Sequence, residues 1–155
     1  VNINNYKFKA VCYYCGAESE PSEFSDIGEV YQLYLPQECE CVIAPEICQF
    51  TGYVDGRQKE IFDGDVLLDE YPRHEKDSLV VVVFESGCFQ LHRFPKGQDE
   101  VQGDWLNDMN GPANEGRLLD YKVIGNQWMS QEKLEEEVFY ASKSLNTKEN
   151  KSLNT

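Results

Sequence analysis

Positive charge and histidine are scarce in this chain, and long apolar runs are missing. Fourteen Lys and Arg stand against 28 Asp and Glu, and imidazole is supplied only by His74 and His92. The resulting net charge of −14 repels phosphate backbones, so direct binding of DNA or RNA is not expected, whereas a basic protein partner is permitted. Acidity of this kind also serves solubility alone. The excess is spread along the chain, with −6 in residues 1–50, −5 in 51–100 and −3 in 101–155. The longest apolar run, Leu79-Val80-Val81-Val82-Val83-Phe84, falls far short of the roughly 18–20 residues a membrane span needs, and it has the composition of a strand. The first residues lack a basic head followed by an apolar stretch, so no secretory signal is expected and a cytoplasmic protein is. Val1 in first place points to an absent initiator Met or to a processed or truncated chain. No Gly-rich phosphate cradle and no Gly-x-Ser-x-Gly elbow occurs, which removes two common routes to catalysis.

What the chain does have is enough apolar material for one folded domain. It has 155 residues, 41% of them hydrophobic, with nine Tyr and eight Phe. Tyr6-Lys7-Phe8-Lys9-Ala10-Val11 alternates apolar and basic residues, the pattern of a half-exposed strand. Val30 to Leu35 forms a second expected strand, ended by Pro36, and Val42-Ile43 a short third. The acidic stretch between Gly16 and Gly28 has the composition of a loop. Leu79–Phe84 and Cys88–Phe94 pair as a hairpin over Glu85-Ser86-Gly87, with Gly87 taking the left-handed position. The unbroken Val run places its strand centrally in the sheet. Pro95 to Gly116 is a long polar segment, with Trp105, Leu106 and Met109 spaced for one helical turn. Leu118–Ile124 supplies the last strand. Ser130 then caps a helix whose apolar stripe is Leu134 and Val138. From Lys143 the tail offers only Leu145 and Leu153 as large apolar residues, so residues 143–155 are expected to be disordered. Many short strands and little helix predict an all-β domain over residues 1–142.

The densest local signal is Gln49 to Val66: two apolar runs, turn residues between them, and an Asp63-Gly64-Asp65 corner. Pro45-Glu46-Ile47-Cys48 leads into Gln49-Phe50-Thr51-Gly52, and Lys59-Glu60-Ile61-Phe62-Asp63-Gly64-Asp65 follows. With Phe84-Glu85-Ser86-Gly87-Cys88-Phe89 and Tyr121-Lys122-Val123-Ile124-Gly125-Asn126, these words resemble, in order, the signature of the YopX family of bacteriophage and prophage proteins. The resemblance spans 42–126 and implies a small SH3-like barrel or roll, to which the residues after Ser130 add one C-terminal helix. One departure stands out: the family commonly places Asn-Gly where this chain has Arg57-Gln58. Those residues tolerate positive φ poorly, so the turn must be rebuilt around Asp55-Gly56.

Six cysteines in a cytosolic chain argue against a disulfide framework. Cys12-Tyr13-Tyr14-Cys15-Gly16 has the form of a zinc knuckle, in which two thiolates grip one tetrahedral ion and Gly lets backbone N–H groups turn toward sulfur. Cys39-Glu40-Cys41 follows, so a structural zinc on Cys12, Cys15, Cys39 and Cys41 stands beside the alternative of buried free thiols. In an extended strand the single spacer would hold Cys39 and Cys41 wide apart. A redox role for the pair is disfavoured because no helix N-terminus follows to lower a thiol pKa. Cys48 is explained by packing. Asp63, Asp65 and Asp69 are read as turn chemistry, because one turn lacks the six or more ligands of a hard cation. His74 lies in a charged loop. Cys88 and His92 in one strand lie about 13 Å apart at roughly 3.3 Å per residue, beyond hydrogen-bond reach.

No catalytic constellation emerges, and no enzyme is expected. The leading expectation is a phage or prophage accessory protein that acts through contacts with a phage or host protein, without membrane or nucleic-acid binding. An acidic mimic of nucleic acid, inhibiting a host DNA- or RNA-binding protein, is the alternative. A metal-dependent enzyme would need an open coordination position and a nearby base, and neither is apparent.

Overall fold

The computed structural model describes residues 6–26, 28–29, 33–41, 44–70, 79–85, 87–94, 104–105 and 117–141. Ten strands and one helix make up its regular structure: β1 (Tyr6–Val11), β2 (Ser22–Phe24), β3 (Glu46–Asp55), β4 (Glu60–Phe62), β5 (Asp65–Asp69), β6 (Leu79–Glu85), β7 (Cys88–Arg93), β8 (Asp104–Trp105), β9 (Arg117–Leu118), β10 (Tyr121–Asn126) and helix α1 (131–141). The strands form two five-stranded sheets. The first runs β2-β1-β3-β4, with β9 added parallel to β3, and the second runs β10-β5-β6-β7-β8. The all-β expectation with one C-terminal helix holds, and among the described strands the sheets do not close into a barrel.

Alternation explains the second sheet. β5 and β6 send Val66, Leu68 and Val81 to one face, where Ile124 and the α1 residues Leu134 and Ala141 cover them. Their alternate residues Leu67 and Val82 point the other way, onto Leu91 and Val123 and onto Ile61 and Leu118 of the first sheet. Both faces of the Val run are therefore apolar and covered, as a central strand requires. Ser130 caps the helix by accepting the Lys133 N–H at 3.2 Å.

Several local expectations change. Glu85 pairs directly with Cys88, so the hairpin loop has two residues rather than three, with Gly87 at φ 80°. The last strand is split in two by a turn at Leu119-Asp120. The acidic loop contains β2, which pairs with β1. Trp105 lies in β8 rather than in a helical turn. Leu33–Leu35 is not in a strand, while Val30, Val42-Ile43, His74, Leu106, Met109 and the tail from Lys143 lie outside the described residues. Gln58 adopts φ 66° in the rebuilt turn, held by Asp55 Oδ1, which accepts the Arg57 and Lys59 N–H groups at 2.8 Å each.

The Asp63-Gly64 corner needs its glycine twice over. Gly64 has φ +84°, and a Cβ there would strike the Trp128 ring at 2.6 Å. Its N–H donates to Val82 O and its carbonyl accepts from Gln127, which ties the corner to both β6 and the chain after β10.

Candidate metal centre

β1 ends at the first cysteine. The chain then folds back on itself, with Val11 bridging Glu18, Cys12 N–H donating to Ala17 O at 2.9 Å and Ser19 N–H donating to Ala10 O at 2.9 Å. Residues 13–15 are therefore the tip of a tight hairpin. Gly16 closes it at φ +75°, and its N–H donates to Cys12 O at 2.8 Å. The second pair arrives on a separate turn, where Cys39 N–H donates to Pro36 O. Cys39 and Cys41 lie on irregular backbone. The wide separation expected of an extended Cys-x-Cys does not arise, because no strand holds them apart.

The four thiol sulfurs of Cys12, Cys15, Cys39 and Cys41 all lie within 4.8 Å of one another. Cys15 Sγ and Cys39 Sγ are 3.7 Å apart. Four sulfurs about 2.3 Å from one tetrahedral ion would be separated by about 3.8 Å, so the cluster is close to the dimensions of a closed thiolate site. Cys12 is buried, Cys15 exposed, and Cys39 and Cys41 half-buried.

Ionisation in the cluster is uneven. Burial opposes a Cys12 thiolate, but the N–H groups of Cys15 and Tyr14, with the thiols of Cys15 and Cys39, bring its pKa down to about 6. Backbone N–H groups at a glycine-closed turn thus do what no helix N-terminus does here. The Cys12 sulfur, together with burial and the remaining thiols, in turn pushes Cys41 up to about 12. At Cys39 the Cys41 N–H favours the thiolate, but burial and the sulfurs of Cys12 and Cys15 outweigh it and raise the pKa. The Cys12 thiolate forms readily and, as a hydrogen-bond acceptor for its neighbours, holds Cys39 and Cys41 in their thiol forms. A cation in their midst would reverse that balance.

Beneath the hairpin tip lies a polar network that sequence patterning did not reveal. Asn126, fully buried at the end of β10, donates through Nδ2 to Gly16 O at 2.8 Å and to Glu18 Oε1 at 2.9 Å. Lys9 Nζ, also buried, donates to the same Glu18 oxygen at 2.9 Å and to Asp65 Oδ1 at 2.6 Å, and sits 4.8 Å from the centre of the Phe62 ring. β1 is therefore not half-exposed. Asp65 is not a turn acceptor of the kind expected either: it is fully buried, pairs with Lys9 and accepts the Phe62 N–H at 2.8 Å. Burial pushes Asp65 up to about 6 against the pull of Lys9, while two carboxylates overcome the burial of Lys9 and raise its pKa. The sequence signal was a lysine within an apolar strand and a second acid in a turn that needed only one.

A family model described as YopX protein matches residues 5–135. The chain belongs to that family. The match takes in all four clustered cysteines, the Lys9–Asp65 pair and Asn126, and so extends well beyond the 42–126 stretch in which the resemblance was legible. No curated protein matches the chain.

The other residues singled out in the sequence fall elsewhere in this YopX domain. Cys48 is buried against Val11 and Phe62, and burial foremost pushes its thiol up to about 12. Cys88 donates to Glu85 O at 3.5 Å, and His92 Nε2 lies 3.0 Å from Gln90 Oε1 and 3.5 Å from Glu85 Oε2. Gln90 stands between Cys88 and His92, as their two-by-two spacing along β7 dictates. Asp63, Asp65 and Asp69 do not converge. Among the described residues, the four cysteines are the one group with metal-ligand geometry. No helix among these residues is long and apolar enough to cross a membrane.

Proposed function

We propose that the chain is a non-enzymatic accessory protein of a phage or prophage, working in the bacterial cytoplasm through contacts with another protein, and that one structural zinc ion organises the contacting surface. The observation that carries this is the convergence of four thiols from two segments 24 residues apart. Four cysteine ligands make a closed site with no position for substrate, which favours a structural ion over a catalytic one. Family membership supports the phage association.

The surface that the site would stiffen supports the protein-contact reading. Tyr13 and Tyr14 stand between the first two cysteines, 41% and 69% exposed, with ring centres 5.0 Å apart. From Ala10 to Gly56 the chain carries nine acids and no Lys, Arg or His, so the acid excess is more concentrated here than its division into thirds suggests. Exposed aromatics on an acidic background suit a basic partner through ring and charge contacts. The same base-free run favours the second reading, an acidic mimic that occupies a host nucleic-acid-binding protein.

Elemental analysis of protein purified without chelator should give about one zinc per chain. Cys12→Ser should abolish it, and Cys48→Ser and Cys88→Ser should leave it. A metal-free preparation with an unchanged melting profile would sink the zinc. Capture from host lysate should fall on Tyr13→Ser/Tyr14→Ser if the knuckle is the contact surface. Competition of that capture by added nucleic acid would select the mimic.

A further inference from the structure

We infer that Asn126 is a positioning residue of the cysteine site, so that metal affinity is set by the closing strand of the domain as well as by the four thiols. The inference rests on the zinc reading above. Asn126 lies 110 residues downstream of Gly16, yet its fully buried carboxamide meets the turn that follows Cys15. Both ends of that carboxamide are committed. Nδ2 donates to Gly16 O at 2.8 Å and Glu18 Oε1 at 2.9 Å, and Oδ1 accepts the Trp128 N–H at 3.1 Å. An amide side chain with both donors and its acceptor engaged is fixed in orientation.

What it fixes is the backbone that presents Cys12 and Cys15. Gly16 N–H closes the turn on Cys12 O, and Gly16 O is anchored by Asn126, so the peptides on either side of Gly16, directly after Cys15, are each held. Packing reinforces the anchor: a Cβ at Gly16 would collide with Met129 Cγ, which seats the hairpin tip directly on the turn between β10 and α1. Glu18, six residues beyond Cys12, is shared between Asn126 and Lys9, so the return arm of the hairpin is held too. Outer partners that fix the geometry of a ligating group typically change metal affinity 10–100-fold when removed. The Cys-x-x-Cys turn is thus completed by the last strand, and the site belongs to the assembled domain rather than to residues 12–41 alone.

The test is zinc and cobalt affinity of the full chain, by competition with a chromophoric chelator. Wild type is compared with Asn126→Ala, with the near-isosteric Asn126→Asp, which keeps the acceptor but loses both donors, and with Leu67→Ala as a destabilised control in the apolar cluster between the sheets, which includes none of the four cysteines and not Asn126. Both Asn126 variants should bind at least tenfold more weakly, with an altered thiolate–cobalt charge-transfer spectrum, and Leu67→Ala should bind within twofold of wild type. Asn126 variants within twofold, or a Leu67→Ala loss as large as theirs, overturn the inference alone. Wild-type protein that binds neither ion overturns the zinc reading and this one with it. Should neither Asn126 variant fold, the Nδ2 proton resonances of wild-type Asn126 decide: they shift on chelation if the residue positions the site, and unmoved resonances overturn the proposal.

Discussion

In the second sheet β5 beyond Asp65 and the centre of β6 bury aliphatic side chains on both faces, with Val66, Leu68 and Val81 under α1 and Leu67 and Val82 toward the first sheet. In the first sheet β1 sends Phe8 and Ala10 to an apolar face but places Lys9 on the other, beside Val11, Cys48 and Phe62. One sheet is stabilised by aliphatic burial, which tolerates small rearrangement. The other buries Lys9 and a set of thiols, whose contributions depend on every partner being present, Asp65 and Asn126 at the ends of β5 and β10 among them. The comparison teaches that the two halves should fail differently.

The largest effect should come from breaking the buried pair. Asp65→Ala strands Lys9 with Glu18 alone and leaves the Phe62 N–H without its acceptor, so stability should fall by about 3–5 kcal/mol in denaturant titration. Asp65→Asn, which keeps an acceptor, should fall less; equal losses would mean that packing rather than charge holds this region. Leu67→Ala should cost roughly 2–5 kcal/mol through the cavity it leaves, while the zinc content of the folded protein stays the same. Loss of metal in that variant would show that the sheets are not separable in this way.

A more local effect should follow chelation. Hydrogen exchange should rise first across residues 10–19 and 36–41, with the β5–β6–β7 amides protected until the whole domain opens. Uniform acceleration would merge the two regions into one cooperative unit. The smallest effect concerns Glu18. Burial raises its pKa, but Lys9 and Asn126 outweigh that and hold it below its ordinary 4.5. Its stabilisation is present above pH 4.5 and is lost as pH falls through the lower folded value. The stability difference between wild type and Glu18→Gln should therefore shrink on acidification below 4.5, and a constant difference would show that charge at Glu18 is irrelevant.

The second sheet was the more legible half for a physical reason. Period-2 alternation and a valine run report burial directly, and Ser130, Leu134 and Gly64 each obey a local rule. The first sheet depends on residues that meet across long separations. Lys9 finds Asp65 at 56 residues and Asn126 finds Gly16 at 110, and no local pattern encodes either meeting. The four cysteines are legible by spacing, but the wide separation expected of Cys39-Glu40-Cys41 holds only for an extended strand, which this segment does not form. The three-residue connection expected over Glu85-Ser86-Gly87 is one residue too long, because Glu85 is in register with Cys88 and belongs to β6.

Asp55 gives the molecule a timetable as well as a shape. Its buried carboxylate organises the turn after β3 with Oδ1, and with Oδ2 accepts the Val123 N–H at 2.9 Å, 68 residues away. Closing a loop of that length costs about 4 kcal/mol of chain entropy, recovered only once both ends are in place. β5, β6 and β7 are neighbours along the chain and face no comparable delay. The joining of β3 to β10 is thus a natural late event in folding, and the slow arm of refolding kinetics should report it.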